Sequence, residues 1–518
     1  MDIRRFLEEK ARDYADKTAV IFKEEVVTFS LLKGSAFKIG RFLLDKGISE
    51  QGKAAVFMPN NLEAVYSFLG VFSVGRTVVP LDFMLAEEEV VNFINHSNVE
   101  FLFAQERRGI DFDKIKAKCR SLKEIVLCKE KKGFVSFSDI WGIEDSSLPE
   151  LGRYEENLAG IFYTSGSTGH PKGVMLTYRN LDNPIKTAEH FLDISSSDTL
   201  ICPGVPFSHI GGLDYILFMA GYGQTLILLE KFRPLHTLKS ISEYKAFWMW
   251  LVPSMYVAML SLKNYGKFNL DSLRYVIVFG APSSPELFKR FHELCPNAYL
   301  LNGWGMTETS APNCVLPPGN DKVESIGNFA PFTRAKIVDS EGKDVSAGHR
   351  GELLVKGEGV MSGYYKEDVL TKEAFTGDGW LRTGDIAYYD EDGLFYIAGR
   401  KKDMIKTAGE IVFLPEIERE IMLYPKVKEA AVIGVPDRLR GEVPKAFVEI
   451  KEGGSLTEDE LKEFLKKHLA HFKIPHYFEF IEGLPKNRVG KVDKQVLKQE
   501  GNNSQNPNTT KSQTKNGI

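Results

Sequence analysis

The chain has 518 residues, a formal charge of −4 and 43% hydrophobic residues, roughly three domains' worth of material at about 150 residues each. That charge excludes a basic nucleic-acid footprint. Five scattered cysteines, Cys119, Cys128, Cys202, Cys295 and Cys314, with no C-x-x-C pair, speak against a disulfide framework and a zinc site.

Met1-Asp2-Ile3-Arg4-Arg5 opens a charged amphipathic stretch rather than an apolar signal region. Through residues 1–150 helix and strand patterns alternate. Leu32, Ala36, Ile39, Phe42 and Leu43 form a helical stripe that stops near Gly47. Ala54 to Met58, Thr77 to Leu81 and Val99 to Phe103 read as strands, with Glu87-Glu88-Glu89 opening a helix between the last two. Such alternation predicts parallel sheets faced by helices.

The apolar run Ile161-Phe162-Tyr163 then enters Thr164-Ser165-Gly166-Ser167-Thr168-Gly169-His170-Pro171-Lys172-Gly173. Glycines let backbone N–H groups approach phosphate oxygens, hydroxyls add donors, and Lys172 adds charge. It is not a Walker A loop: Gly166 needs glycine and lysine five and six positions on and meets Pro171 and Lys172. A flexible Ser/Gly linker is the competing reading, but linkers seldom follow an apolar strand directly.

Asn180 onward reads as helix. In Pro206-Phe207-Ser208-His209-Ile210-Gly211-Gly212, His209 is either a hydrogen-bonded core residue or a pocket residue. The most apolar segment, Phe247 to Leu260, is shorter than the about 18 residues that span a bilayer, and Pro253 interrupts it. The expectation is a cytoplasmic protein with no transmembrane segment, peripheral membrane contact staying open. Arg274 to Phe279 reads as a strand ending at Gly280-Ala281-Pro282, where a flat base could lie against the backbone or the chain simply turns. In Asn302-Gly303-Trp304-Gly305-Met306-Thr307-Glu308-Thr309, an aromatic between glycines can stack on a base, Thr307 can bond a phosphate, and Glu308 suits magnesium. A Gly-rich turn around a buried Trp is the alternative. Asp385, after Gly384, is a turn residue or a carboxylate for two ribose hydroxyls.

A second domain starts near the polar stretch Lys401-Lys402-Asp403. Ala431 to Val435 and Ala446 to Ile450 read as strands. Thr457 and Glu460 form a capping box, and Leu461, Phe464, Leu465 and Leu469 make one helical face. Pro485-Lys486-Asn487-Arg488-Val489-Gly490-Lys491 is a basic loop. The tail has almost no apolar residue and is expected to be disordered. The expected boundaries are 1–398 for the large domain, 399–403 for a hinge, 404–500 for the small domain and 501–518 for the tail. No internal repeat occurs.

The loop at Thr164 to Gly173 resembles the first signature of the adenylate-forming superfamily, which includes acyl-CoA synthetases, luciferases and the adenylation domains of peptide synthetases. Further motifs follow in that family's order to about Lys498. The resemblance implies an α/β fold: a large N-terminal domain of parallel and mixed sheets with helices, plus a small α+β C-terminal domain on a hinge. It implies ATP-dependent conversion of a carboxylic acid to acyl-AMP with release of pyrophosphate, then transfer to CoA.

By the same resemblance, Thr164, Ser165, Gly166, Ser167, Thr168, Gly169 and Lys172 hold phosphates, and Gly280, Ala281 and Pro282 flank adenine. Asn302, Gly303, Trp304, Gly305, Met306 and Thr307 complete the nucleotide site, and Asp385 with Arg400 takes the ribose. Glu308 and Thr164 hold Mg2+, and His209 and Gly305 line the acyl pocket. Lys402 is the hinge pivot, Gly409 lies along pantetheine, and Lys491 reaches the reacting groups. Three positions depart from the pattern: Ser208 replaces an aromatic, Trp304 a tyrosine, and Val489 a Ser or Thr. His209 and Phe218-Met219-Ala220-Gly221 look more like CoA ligases than amino-acid adenylators, and no acidic residue falls in 206–212. A fatty acid is therefore the leading acid. An aryl acid, a carrier protein's phosphopantetheine as acceptor, and a non-catalytic adenylate-binding protein are the alternatives. Intact Lys491, Glu308 and Lys172 argue against the last.

Overall fold

The computed structural model of the chain describes residues 2–144, 146–152, 154–164, 171–262, 265–280, 285–407, 410–437, 439–486 and 492–503. Two compact units divide the chain: Met1–Ala335 with Val355–Leu381, and Lys336–Leu354 with Arg382–Ile518.

The first unit is built on two large sheets. One has eight strands, in the order Gly363–Tyr364, Lys172–Thr177, Leu158–Thr164, Thr77–Pro80, Lys53–Phe57, Phe101–Ala104, Glu124–Leu127 and Val135–Ser136. From Leu158–Thr164 to Val135–Ser136 the neighbours are parallel, and the first two strands add antiparallel pairs. Thr77–Pro80 and Phe101–Ala104 are buried at every position. Such continuous apolar runs are what a parallel sheet covered on both faces demands. The helix Phe29–Asp45 starts at Thr28, whose hydroxyl accepts the Leu31 N–H, and buries Leu32, Ala36, Ile39 and Leu43. Each buried Leu or Ile contributes about 1.5–3 kcal/mol relative to exposure. Gly47 follows at φ +73°, as predicted for the stop.

The second sheet has nine strands. Its parallel centre runs Tyr299–Trp304, Tyr275–Val278, Trp248–Leu251, Thr199–Cys202, Thr225–Leu228 and Thr18–Phe22. The apolar segment around Pro253 divides there into the strand Trp248–Leu251 and the helix Pro253–Leu260. Proline suits the first helical position, where its missing N–H costs nothing. Among the described residues no helix is long and apolar enough to cross a membrane.

In the second unit, Met404–Thr407 pairs with Glu410–Phe413 and Gly441–Ile450, the latter with Val427–Asp437 and Tyr477–Ile481. Ile417, Ile421, Leu461 and Leu465 of two helices, Leu414–Met422 and Glu458–Leu465, bury against Val432 and Val448. The Thr457–Glu460 capping box forms as read. This is the small α+β partner of a large α/β unit, the expected fold class.

Candidate functional site

Leu158–Thr164 and Lys172–Thr177 are antiparallel, with Thr164 opposite Lys172 and Tyr163 opposite Gly173. The hydroxyl-rich segment therefore joins two paired strands, unlike a P-loop, which leads from strand to helix. Its stem is packed from behind. Tyr163 lies against Phe93 with centroids 4.3 Å apart, and His96 Nδ1 is 2.7 Å from the Tyr163 hydroxyl. Burial and the nearby Lys366 lower the His96 pKa, so the ring is neutral at pH 7.

The two-residue strand Gly363–Tyr364 pairs with Val174 and Met175, and the Tyr365 N–H donates to the Gly173 carbonyl at 2.7 Å. This register sets Tyr364 between two predicted site residues. Lys172 Nζ lies 5.1 Å from the centre of its ring, and its hydroxyl donates to Glu308 Oε1 at 3.0 Å. Burial first, and the Glu308 carboxylate second, raise the Tyr364 pKa, so the phenol stays protonated and donates. Sequence reasoning missed Tyr364. Its only signal was a glycine before paired tyrosines, and nothing local reveals which strand that pair joins.

Glu308 sits on the short turn Thr307–Thr309. The Met361 N–H donates to the Glu308 carbonyl at 2.8 Å. Asn183 Nδ2 donates to the Ser310 and Pro312 carbonyls, each at 2.8 Å, and Asn313 Nδ2 to the Thr309 carbonyl at 3.0 Å. Two buried carboxamides thus fix the turn that presents the carboxylate.

Gly280, at φ +92°, follows the parallel strand Tyr275–Val278. A Cβ on Gly303 would lie 2.1 Å from the Phe279 ring, and one on Gly305 would lie 2.5 Å from Ala311 Cβ. Both glycines answer to packing within the fold. Trp304 between them is only 7% exposed and packs edge-on against Phe329 at 5.5 Å. Asn302 is 2% exposed; its Nδ2 donates to the Val323 carbonyl at 2.7 Å, while its buried Oδ1 accepts no hydrogen bond among the described residues. Met306 and Thr307 are half-buried beside Glu308.

His209 precedes the helix Ile210–Tyr222, its N–H donating to the Pro206 carbonyl at 3.1 Å. A Cβ on Gly212 would lie 1.9 Å from that same oxygen, so the turn requires glycine there. On this helix Tyr215 stacks on Trp250, with centroids 3.5 Å apart, and Trp250 Nε1 donates to the Gly211 carbonyl at 2.8 Å.

In the second unit Asp385 faces Arg400 across an antiparallel pair, and Arg400 Nε lies 2.9 Å from Asp385 Oδ1. Asp385 is 3% exposed, and the Arg400 side chain 47%. The Thr383 hydroxyl accepts the Asp385 N–H at 3.0 Å and donates to the Leu353 carbonyl at 2.7 Å. Lys402 is exposed on the turn Lys401–Asp403. Ser165, Gly166, Ser167, Thr168, Gly169, Ala281, Pro282, Gly409 and Lys491 lie outside the described residues.

The model of the AMP-binding enzyme family matches residues 7–365, and that of the AMP-binding enzyme C-terminal domain matches residues 416–491. The chain is 32% identical to a long-chain-fatty-acid–CoA ligase of Bacillus subtilis, over 96% of this chain and 94% of that relative. The anthranilate CoA ligase AuaEII, solved in complex with anthranoyl-AMP, superposes with a TM-score of 0.88 at 26% identity, covering 96% of this chain and 97% of that one. ATP-bound MatB from Rhodopseudomonas palustris gives 0.87 at 29% identity, covering 96% and 98%.

Proposed function

The chain belongs to the AMP-binding enzyme family, the adenylate-forming superfamily, and from that premise we propose that it is an AMP-forming acid–CoA ligase. It activates a carboxylic acid with ATP to an acyl-adenylate, releases pyrophosphate, and passes the acyl group to CoA. The observation that carries this reading is the Lys172–Tyr364–Glu308 arrangement at the mouth of the Thr164–Lys172 hairpin.

The difficulty of the first step is electrostatic. The carboxylate must attack the α-phosphate, and two unit charges about 4 Å apart repel by about 4 kcal/mol at an effective dielectric near 20. Positioned cations and donors offset that repulsion, and no covalent bond to the protein is needed. Lys172 and the hydroxyls from Thr164 to Thr168 are assigned to the β- and γ-phosphates, and Lys491 to the reacting carboxylate and α-phosphate. Asn302 Oδ1, which receives no donor among the described residues, suits a donor such as the adenine amino group. Gly280 and the 302–307 segment flank the base, and Asp385 with Arg400 takes the ribose hydroxyls.

Glu308 and Thr164 would hold magnesium. The half-buried Glu308 carboxylate fits a cation that takes one or two protein carboxylates and completes its shell with phosphate oxygens and water. Bound there, the ion supplies charge neutralisation to the phosphates. Tyr364 orients the carboxylate for it.

For the second step Lys402 is assigned as pivot and Gly409 as the point that pantetheine passes. His209 and Gly305 are assigned to the acid. A medium- or long-chain fatty acid leads, supported by the Bacillus relative, and an aryl acid is the alternative, supported by the anthranilate ligase. A carrier protein is the alternative acceptor. The test is AMP formation by purified protein with ATP and magnesium, across acetate, decanoate, palmitate, benzoate and coumarate, each with and without CoA. CoA-dependent turnover on one acid class is the expected result. Pyrophosphate release without a CoA thioester would replace CoA with a carrier protein, and silence with every acid would defeat the reading.

A further inference from the structure

The Tyr364 hydroxyl reaches Glu308 Oε1 at 3.0 Å across 56 residues of chain. Such a contact is aimed only as well as the two segments that bring its partners together. Residues 358–362 lead into the strand Gly363–Tyr364, and the turn Thr307–Thr309 runs on through Ser310 to Pro312. One stretch of chain holds both segments: Asn180 and Asn183, at the start of the helix Asp182–Phe191.

Asn180 is 6% exposed and Asn183 is 1% exposed. Asn180 Nδ2 donates to the Glu358 and Val360 carbonyls, at 2.6 and 3.0 Å, on the Tyr364 side. Asn183 Nδ2 donates to the Ser310 and Pro312 carbonyls on the Glu308 side, and its Oδ1 accepts the Thr333 hydroxyl at 3.4 Å. A primary amide has two N–H donors, and each of these two amides gives both to one segment. Asn180 Oδ1 accepts the Thr177 N–H at 2.7 Å, at the end of the strand that begins at Lys172. The chain segments that carry Lys172, Tyr364 and Glu308 therefore all end on these two carboxamides. The segments also close on each other. A Cβ on Gly359 would lie 2.6 Å from the Thr309 carbonyl oxygen and 2.6 Å from Asn183 Cγ, so glycine is what lets them approach. Lys186 on the same helix pairs with Glu358 at 2.8 Å, but those side chains are 43% and 44% exposed, and such pairs contribute little.

We propose that Asn180, acting through the segment of Tyr364, and Asn183, acting through the turn of Glu308, are positioning residues that aim the Glu308 carboxylate at magnesium in the adenylation step. The proposal rests on the assignment of Glu308 above. A misplacement of about 1 Å can cost about a hundredfold in rate, so loss of one of the two anchors should cost about tenfold.

The test uses the full-length enzyme and the panel acid with the fastest wild-type turnover. Asn183→Ala should slow pyrophosphate–ATP exchange about tenfold and raise the magnesium concentration that half-saturates it about fivefold. Thioester formation from supplied acyl-adenylate, run without magnesium, should stay near wild type. The Tm should fall, because two buried carbonyls lose their donors. The rise in Tm that ATP with magnesium gives over ATP with EDTA should also shrink, by about 1–2 °C. Asn183→Ser, a milder change that keeps one donor, should lose about threefold in exchange. Asn183→Ala should add nothing in a Glu308→Gln background, and Asn180→Ala nothing in a Tyr364→Phe background. Equal losses in both half-reactions, an unchanged magnesium requirement, or additive losses in those backgrounds would overturn the proposal. Glu308→Gln alone separates the two layers. If it exchanges normally, the assignment of Glu308 itself is wrong. If it is impaired while Asn180→Ala and Asn183→Ala are not, only the positioning role fails.

Discussion

Lys172 and Glu308 carry opposite charges and are kept on either side of a neutral phenol. Asp385 and Arg400 carry opposite charges and touch at 2.9 Å. In the first group a cation–π contact leaves the ammonium's charge uncancelled, and a phenol O–H holds the carboxylate without neutralising it. Both charges stay available to phosphates and a metal ion. In the second group the carboxylate is neutralised inside the fold and oriented before any ligand arrives, which suits the uncharged hydroxyls of a sugar. Strand register decides both cases. Asp385 and Arg400 are cross-strand partners, whereas Tyr364, opposite Val174, comes between Lys172 and Glu308.

The largest expected break in this comparison is Glu308→Gln. Glu308 is assigned to hold the ion that would neutralise the phosphates; losing one such stabilising element ordinarily costs about 10²–10³ in rate, and pyrophosphate release should fall by that much. Tyr364 sharpens the comparison by separating its two contacts. Tyr364→Phe keeps the ring under Lys172 but loses the bond to Glu308. A hydrogen bond to a charged group contributes about 1.5–3 kcal/mol, so adenylation should slow by about ten- to a hundredfold. Tyr364→Ala loses both contacts and should be slower still. Equal rates for the two variants would mean that the ring contact contributes nothing.

Arg400→Gln should act more gently, because the guanidinium is half exposed and screened by solvent. The expected outcome is a rise of about fivefold in KM for ATP with kcat little changed. The smallest effect is expected at His96, behind the hairpin stem. Its folded pKa lies below the ordinary 6.5, so the unfolded chain binds the proton more readily. The corresponding stability is full above pH 6.5 and is lost as pH falls through the lowered pKa. Melting curves between pH 7.5 and pH 5 should show a loss that His96→Gln reduces, by under about 2 °C.

Much of this was legible in the sequence because the relevant rules are local. Continuous apolar runs gave the parallel strands, Thr457 and Glu460 their cap, and Gly47 its stop. The spacing at Gly166 ruled out a strand-to-helix phosphate loop, and the strands on either side of that segment pair with each other. What could not be read depends on pairing across long separations. Tyr364 reaches Glu308 only because a two-residue strand joins Lys172–Thr177. By resemblance Gly303 and Gly305 belong to the nucleotide site; that Phe279 and Ala311 fill the space where a Cβ would go could not be read from spacing. That Trp304 packs edge-on against Phe329 was likewise not legible from spacing. Spacing names the chemical types at a site, and only tertiary packing decides which neighbours use up their surfaces.

The most direct test of the account is acid-dependent exchange of labelled pyrophosphate into ATP, without CoA, by wild-type protein and Glu308→Gln. The account predicts exchange with at least one acid of the panel and its loss by about two orders of magnitude or more in the variant. Exchange that is equal in the two proteins would contradict the site, and no exchange with any acid would contradict adenylation itself.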